Sequence, residues 1–129
     1  KDNKVVRDTF YNDDIKLSNG TIVYLDKNNK HMYELSNRVR LINLNDYSID
    51  NYNMFLGFIY GIISEDSDLD KIYLDNMLSI AHLSETEFTE AIITLSGISA
   101  KYNIDMVVSV SLDKSQISEN IVDLVKVAL

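Results

Sequence analysis

Short apolar runs alternate with stretches of helical periodicity along most of this chain. Four runs, at residues 21–25, 39–44, 71–74 and 105–112, are rich in Val, Ile, Leu and Tyr, and each leads into an Asp or an Asn. Runs of this length and composition predict β-strands. Strands that alternate with helices form βαβ units, whose right-handed crossovers build a parallel sheet.

The clearest helical pattern spans residues 84–102. Ser84 and Glu87 have the spacing of a capping box, and Asn103 suits a left-handed stop. The buried stripe predicted between them consists of Phe88, Ala91, Ile92, Leu95, Ile98 and Tyr102. A second helix is predicted over 53–64, with a stripe of Met54, Phe55, Phe58, Ile59, Ile62 and Ile63. Weaker patterns predict helices over 5–17 and from Ser118, and a short turn or helix over 31–37.

These elements predict a three-layer α/β fold in which helices flank a parallel sheet. The 129 residues contain no proline, no repeat and no linker-like composition, so we expect a single domain over 1–129. Phe58 and Leu95 are expected in the core, where truncation should destabilise by about 2–5 kcal/mol.

Composition narrows the function classes. Twenty acidic and twelve basic residues give a net charge of −8, which argues against nucleic acid or an anionic membrane as partner. The absence of cysteine excludes disulfides, a thiol nucleophile and cysteine-ligated zinc. No apolar run approaches the roughly 18 residues of a spanning helix, and no basic-then-apolar leader is present. We interpret the chain as cytoplasmic.

Three predicted strands lead into a carboxylate: Asp26, Asp75 and Asp113. The functional interpretation places all three around a common crevice at the carboxyl edge of the sheet. Ligands bind outside the carboxyl ends of parallel strands, and an Asp placed there holds hydrated Mg²⁺ in nucleotide-hydrolysing folds. Asp is also favoured where a strand enters a turn or a helix cap. Polar residues follow Asp26 and Asp113, so the turn interpretation is favoured for both. Asp75 follows a run that reads as buried and central, and is the candidate site residue.

Ser109 and Ser111 alternate with apolar residues near the end of the last predicted strand and could orient a water or a phosphate. The simpler interpretation is a strand with one wetter face. Gly57 and Gly61 are expected to permit close packing of their helix on the sheet. His31 and His82 have no metal-binding spacing, so both are interpreted as ordinary histidines.

From Gly20 onward, several segments resemble one family in their order and spacing. They are TIVYLD at 21–26, RVRLI at 38–42, YSID at 47–50, FLGFIYGI at 55–62, KIYLDN at 71–76 and KYNID at 101–105. The family consists of small P-loop ATPase-like proteins of Gram-positive bacteria, described as ATP-binding or twitching-motility-ATPase-like. The resemblance covers about five-sixths of the chain.

The resemblance implies ATP and Mg²⁺ as cofactors, with Asp75 in the Walker-B-type position as a ligand of Mg²⁺-bound water. It also places Ser109 or Ser111 in the region of a sensing residue. Family members begin with a strand and a phosphate loop ending in Gly-Lys-Thr or Gly-Lys-Ser, but no such motif occurs in these 129 residues. We expect both elements just upstream of Lys1, and expect this chain alone to bind ATP poorly.

Two other functions remain open. One is a non-catalytic α/β module that binds a partner protein. The other is a response-regulator receiver with Asp75 as phosphoacceptor, which fits less well because the sequence does not display paired acids after the first strand or a Lys after a fifth.

Overall fold

The computed structural model describes residues 20–27 and 39–112. Its strands are β1 (Thr21–Asp26), β2 (Val39–Asn43), β3 (Leu69–Leu74) and β4 (Asp105–Val108), and its α-helices are α1 (Tyr52–Glu65), α2 (Met77–Ile80) and α3 (Phe88–Tyr102). Two 3₁₀ turns, Leu44–Asp46 and Glu85–Glu87, follow β2 and precede α3. The helices predicted over 5–17 and from Ser118, and the turn or helix over 31–37, lie outside the described residues.

The four strands form one sheet in the order β2-β1-β3-β4, and every neighbouring pair is parallel. The central strand β1 is buried from Ile22 to Asp26, and β3 is buried at Leu69 and from Ile72 to Leu74, as expected for the central strands of a parallel sheet. The prediction of an α/β fold with a parallel sheet flanked by helices is therefore confirmed.

Alternate residues of the strands face two different apolar clusters. The larger one contains Val23, Leu25, Ile72 and Leu74 together with the buried sides of α1 and α3. The smaller one, on the other face of the sheet, consists of Ile22, Tyr24, Val39 and Tyr73, with Leu41 and Val107 packed against it. The period of two along each strand thus separates a helix-covered face from a face rich in tyrosine.

Helix α1 begins at a local signal. Asn51 is its N-cap, and the side-chain oxygen of Asn51 accepts a 2.9 Å hydrogen bond from the backbone N–H of Met54. The buried residues of α1 are Phe55, Ile59 and Ile62. The broader predicted stripe is wrong in part, because Met54 is 42% exposed and Phe58 is only partly buried, at the edge of the core.

Helix α3 follows the predicted signals closely. Glu87 accepts hydrogen bonds from the backbone N–H and the hydroxyl of Ser84, which confirms the capping box. Asn103 has φ 54° and ψ 50°, the predicted left-handed stop. Five residues of the predicted stripe are buried, namely Phe88, Ala91, Ile92, Leu95 and Ile98. Tyr102 is 38% exposed and packs instead edge-on against Tyr60.

The prediction that Gly57 and Gly61 allow α1 to pack closely on the sheet is wrong. Both glycines are exposed, and a Cβ placed on either would meet no atom within 4 Å. The reason is geometric, because α1 uses Phe55, Ile59 and Ile62 to contact the sheet and the glycines lie on another side of the helix.

Candidate functional site at the carboxyl edge of the sheet

At each strand, one polar residue at or just past the last strand position lies at the same level of the carboxyl edge. Asp26 is the register partner of Asn43, the N–H of Asp75 donates to the carbonyl of Leu25, and the N–H of Ser109 donates to the carbonyl of Leu74. We call these four residues (Asn43, Asp26, Asp75 and Ser109) the polar rim. The alternation along each strand places the rim on the sheet face of Tyr24 and Tyr73.

The carboxylate of Asp75 is held from both neighbouring strands. The hydroxyl of Tyr24 on β1 donates to Oδ2 at 2.6 Å, and the hydroxyl of Ser109, just past the end of β4, donates to Oδ1 at 2.9 Å. Asp75 is 4% exposed and Tyr24 is 1% exposed. Hydrogen bonds to an ionised carboxylate are short and strong, particularly away from bulk water. The strand order thus fixes the orientation of this carboxylate.

The turn after β3 also depends on Ser109. The backbone N–H of Asn76 donates to Ser109 Oγ at 2.9 Å, and the N–H of Met77 donates to the Ser109 carbonyl at 2.9 Å. These bonds draw the chain out of strand geometry after Val108, so the strand predicted over 105–112 ends earlier in the structure. Ser109 is 6% exposed, whereas Ser111 is exposed beyond the strand.

Helix α2 does not use the carboxylate of Asp75 as its N-cap. The N-cap residue is Asn76, which has φ 61° and ψ 64° and makes no side-chain capping bond. A left-handed residue at this point turns the chain sharply, and Asn tolerates that conformation better than most residues. Asp75 therefore remains at the strand end, with its carboxylate bound to side chains of the two flanking strands.

Asp26 is part of β1, whereas the sequence placed it after the strand. It is 4% exposed, and its Oδ1 accepts a 2.7 Å hydrogen bond from the N–H of Lys27. That local bond is the strand-to-turn role favoured for Asp26 from the sequence. The register also brings Asp26 beside Asp75 at the carboxyl edge, where the functional interpretation of these carboxylates placed them.

Several residues weighed in the sequence lie elsewhere. Asp113 and His31 are outside the described residues. His82 is exposed, in a turn with φ 56°. The main residue that the sequence analysis missed is Tyr24, because its part in the site depends on a contact between residues 51 positions apart. Its one local signal is a tyrosine two residues before a strand end, which is too common to identify a site.

The polar rim lies at the topological switch point of the sheet. From β1 the chain passes to β2 on one side, and β3 then lies on the other side of β1. In open α/β sheets, this reversal leaves a crevice outside the carboxyl ends of the two central strands, where ligands bind. Asp26 and Asp75 end those two strands, so any ligand in the crevice meets two buried carboxylates.

The rim's chemistry suits a hard cation that keeps most of its own waters. Within residues 20–27 and 39–112, no group of three or more His, Cys, Asp or Glu residues could hold a metal ion. Mg²⁺ usually keeps several waters and takes only one or two protein carboxylates. The rim fits that mode of binding and does not resemble a cage built from protein ligands.

Comparisons with protein-family models, with curated proteins and with solved structures give no match for this chain. In the part of the chain that the structure describes, no helix is both long enough and apolar enough to cross a membrane.

Proposed function

We propose that the intact protein is a P-loop NTPase-like protein that binds ATP with Mg²⁺, and that Asp75 holds a Mg²⁺-bound water. The observation that carries this proposal is the position of the Asp75 carboxylate, at the carboxyl end of central strand β3 and held by Tyr24 and Ser109. Nucleotide-hydrolysing folds use an Asp at such a strand end for hydrated Mg²⁺. The bound ion would neutralise the negative charge of the phosphates.

The strand order leaves a suitable place for the phosphate loop. Since β3 lies between β1 and β4, a further strand can join the described sheet only beyond β2 or beyond β4. The edge of β4 is nearer to Asp75, and no described residue pairs with it. We assign the phosphate-loop strand of the intact protein to that edge. Ser109, which follows β4, then lies between the loop and Asp75, as expected of a sensing residue.

Burial strengthens the attraction of the two carboxylates for a cation. Asp75 and Asp26 are each 4% exposed, so their charges are screened less than surface charges would be. The same charges repel a bare triphosphate, and binding therefore requires the cation and the phosphate loop together.

Titration calorimetry of the intact protein with ATP, at several Mg²⁺ concentrations, tests the proposal. Asp75→Asn keeps the shape of the side chain and removes its charge. We expect the variant to require about 10- to 100-fold more Mg²⁺ for half-maximal ATP binding, as changes near a metal site usually do. Asp105→Asn is the matched control, because it removes one carboxylate from the opposite end of β4, where Asp105 forms a surface ion pair with Lys71.

Equal Mg²⁺ dependence in Asp75→Asn and in the unchanged protein would contradict the assignment of Asp75. Failure of the intact protein to bind any nucleotide would contradict the proposal as a whole and favour the non-catalytic module that binds a partner protein.

A second function, a phosphoryl-accepting receiver, is favoured by one observation. The order β2-β1-β3-β4 matches the first four strands of the doubly wound receiver fold. Asp26 is the last residue of the first strand, and Asp75 and Ser109 directly follow the third and fourth strands. In that function an Asp75 oxygen attacks the phosphorus of a small phosphodonor, the donor's leaving group departs with its electron pair, and an acyl phosphate forms.

Incubation with acetyl phosphate and Mg²⁺, followed by intact-mass measurement, tests the receiver function. A gain of one phosphoryl group that disappears in Asp75→Asn would support it. An unchanged mass in the unaltered protein would contradict it, and this result is independent of the ATP titration.

A further inference from the structure

We propose that the hydroxyls of Tyr24 and Ser109 are positioning groups that set the direction of the Asp75 carboxylate and thereby its affinity for hydrated Mg²⁺. This inference rests on the proposed function, because it concerns the same site. It extends the site to Tyr24, a residue of β1 that would not touch the cation itself.

Tyr24 holds its hydroxyl in a fixed place. The ring stacks on that of Tyr73, its register partner on β3, with centroids 5.7 Å apart and planes 17° apart. Both residues belong to the buried cluster on that face of the sheet. A buried, stacked ring has little freedom, so the 2.6 Å bond to Asp75 Oδ2 is set by the register of β1 on β3.

Ser109 holds the other oxygen and is itself fixed. Its Oγ donates to Asp75 Oδ1 and accepts the N–H of Asn76, while its carbonyl accepts the N–H of Met77. The seryl hydroxyl is therefore tied to the turn that follows Asp75. A change at Ser109 moves the carboxylate and this turn together.

A hydroxyl donor on each oxygen restrains the orientation of the carboxylate. The terminal torsion of an Asp side chain is broad and roughly two-fold, so an unrestrained carboxylate samples many directions. Here the Tyr24 donor comes from β1 and the Ser109 donor from the residue that follows β4, on opposite sides of β3, which restrains rotation in both senses. Groups that orient a metal-site ligand typically change metal affinity by 10- to 100-fold when removed.

A purely structural role predicts a different result. If the two hydroxyls only satisfied buried polar atoms, their removal would lower stability and leave cation binding unchanged. Mg²⁺ affinity therefore separates the two roles, whereas a melting curve does not.

The experiment measures Mg²⁺ titration of the intact protein in the presence of ATP, by calorimetry, with Tyr24→Phe, Ser109→Ala and Ser109→Thr. Phe keeps the stacked ring and Thr keeps the hydroxyl. We expect Tyr24→Phe and Ser109→Ala each to raise the half-saturating Mg²⁺ concentration about 10- to 100-fold, and Ser109→Thr to remain close to the unchanged protein. Tyr60→Phe, at a 45% exposed tyrosine of α1, is the matched control.

The outcomes are distinguishable. Unchanged Mg²⁺ affinity in folded Tyr24→Phe and Ser109→Ala, together with a loss in Asp75→Asn, would overturn this inference and leave the proposed function standing. Unchanged affinity in Asp75→Asn as well would overturn the assignment of Asp75 in the proposed function, and this inference with it. If Tyr24→Phe fails to fold by circular dichroism, the Ser109→Ala and Ser109→Thr pair decides, because only a positioning role predicts that the hydroxyl alone restores affinity.

Discussion

Tyr24 and Tyr73 are register partners on the two central strands, and their rings stack with centroids 5.7 Å apart. This contact joins the small apolar cluster to the polar rim, because the hydroxyl of Tyr24 extends from the stack to Asp75. Packing on the sheet face of Tyr24 and Tyr73 and orientation of the candidate site therefore depend on one aromatic pair.

Truncation of either ring of this pair should lower the free energy of unfolding. Tyr73 is 2% exposed, so we expect Tyr73→Ala to lower the free energy of unfolding by about 3–5 kcal/mol, as aromatic-to-Ala changes in cores do. Urea denaturation measures the loss. Tyr60→Ala is the control, since Tyr60 is 45% exposed and contributes one edge-on contact with Tyr102, and it should lose less than about 1.5 kcal/mol. Similar losses in the two variants would show that the stack adds nothing.

Loss of the Asp75 side chain should destabilise the fold as well as the site. Asp75→Ala removes the acceptor of two hydroxyl donors, those of Tyr24 and Ser109, and a buried donor without a partner costs about 1–3 kcal/mol. Asp75→Asn keeps one acceptor oxygen and should lose less. Chemical denaturation of both variants measures the difference. If Asp75→Ala unfolds at the same denaturant concentration as the unchanged protein, the buried network does not contribute to stability.

Truncation of the two phenylalanines of α1 should lower the free energy of unfolding by clearly different amounts. Phe55 is 0% exposed, whereas Phe58 lies at the edge of the core against the exposed ring of Tyr47. We expect Phe55→Ala to cost about 3–5 kcal/mol and Phe58→Ala to cost less, because less buried surface is lost. Thermal unfolding of both variants measures the two losses of stability. A larger loss in Phe58→Ala would contradict the described orientation of the helix.

Replacement of Gly20 and of Gly57 by Ala should change the free energy of unfolding in opposite directions. A Cβ on Gly20 would overlap the carbonyl oxygen of Asp68, which accepts the N–H of Thr21. Gly20→Ala should therefore destabilise by about 1–3 kcal/mol. A Cβ on Gly57 meets nothing within 4 Å, so Gly57→Ala should stabilise α1 by about 0.5–1 kcal/mol through helix propensity. Shifts of the same sign in urea midpoints would be inconsistent with these environments.

The capping box predicts a pH dependence. Hydrogen bonds from the Ser84 backbone N–H, and then from the Ser84 hydroxyl, lower the pKa of Glu87 below its ordinary value of 4.5. The unfolded chain then binds a proton more readily, so this contribution to stability is present above 4.5 and is lost as the pH falls through the folded-state pKa. The free energy of unfolding is measured by denaturation at pH 6 and at pH values below that pKa. We expect it to fall less with pH in Glu87→Gln than in the unchanged protein.

Glu90→Gln serves as the control for that measurement, because it removes the same charge from the first turn of α3 outside the box. An equal change of pH dependence in both variants would mean that net charge, and not the box, is responsible.

Local signals accounted for the part of the fold that could be predicted. Ser84 with Glu87 located the start of the α3 region, Asn103 located its end, and apolar runs located the strands, because capping, left-handed stops and alternation are properties of neighbouring residues. Strand order is not local. The pairing of β1 with β3 brings Tyr24 within hydrogen-bonding distance of Asp75 across 51 positions, so the sequence indicated Asp75 but not its partner.

The sequence also could not predict which side chains at the edges of each helical stripe are exposed. Met54 and Tyr102 fit the apolar rhythm of their helices, yet both are exposed, because each stripe is wider than the surface it contacts.

The pairing of β1 with β3 has a consequence for assembly. In the chain, β2 and α1 separate these two strands, so a large loop must close before the strands can meet. Contacts of this kind are made slowly, and no fragment that ends before β3 contains the facing carboxylates. A molecule that binds between the carboxylates of Asp26 and Asp75 should therefore stabilise the entire sheet against unfolding. We expect the melting temperature to rise with the affinity of that molecule.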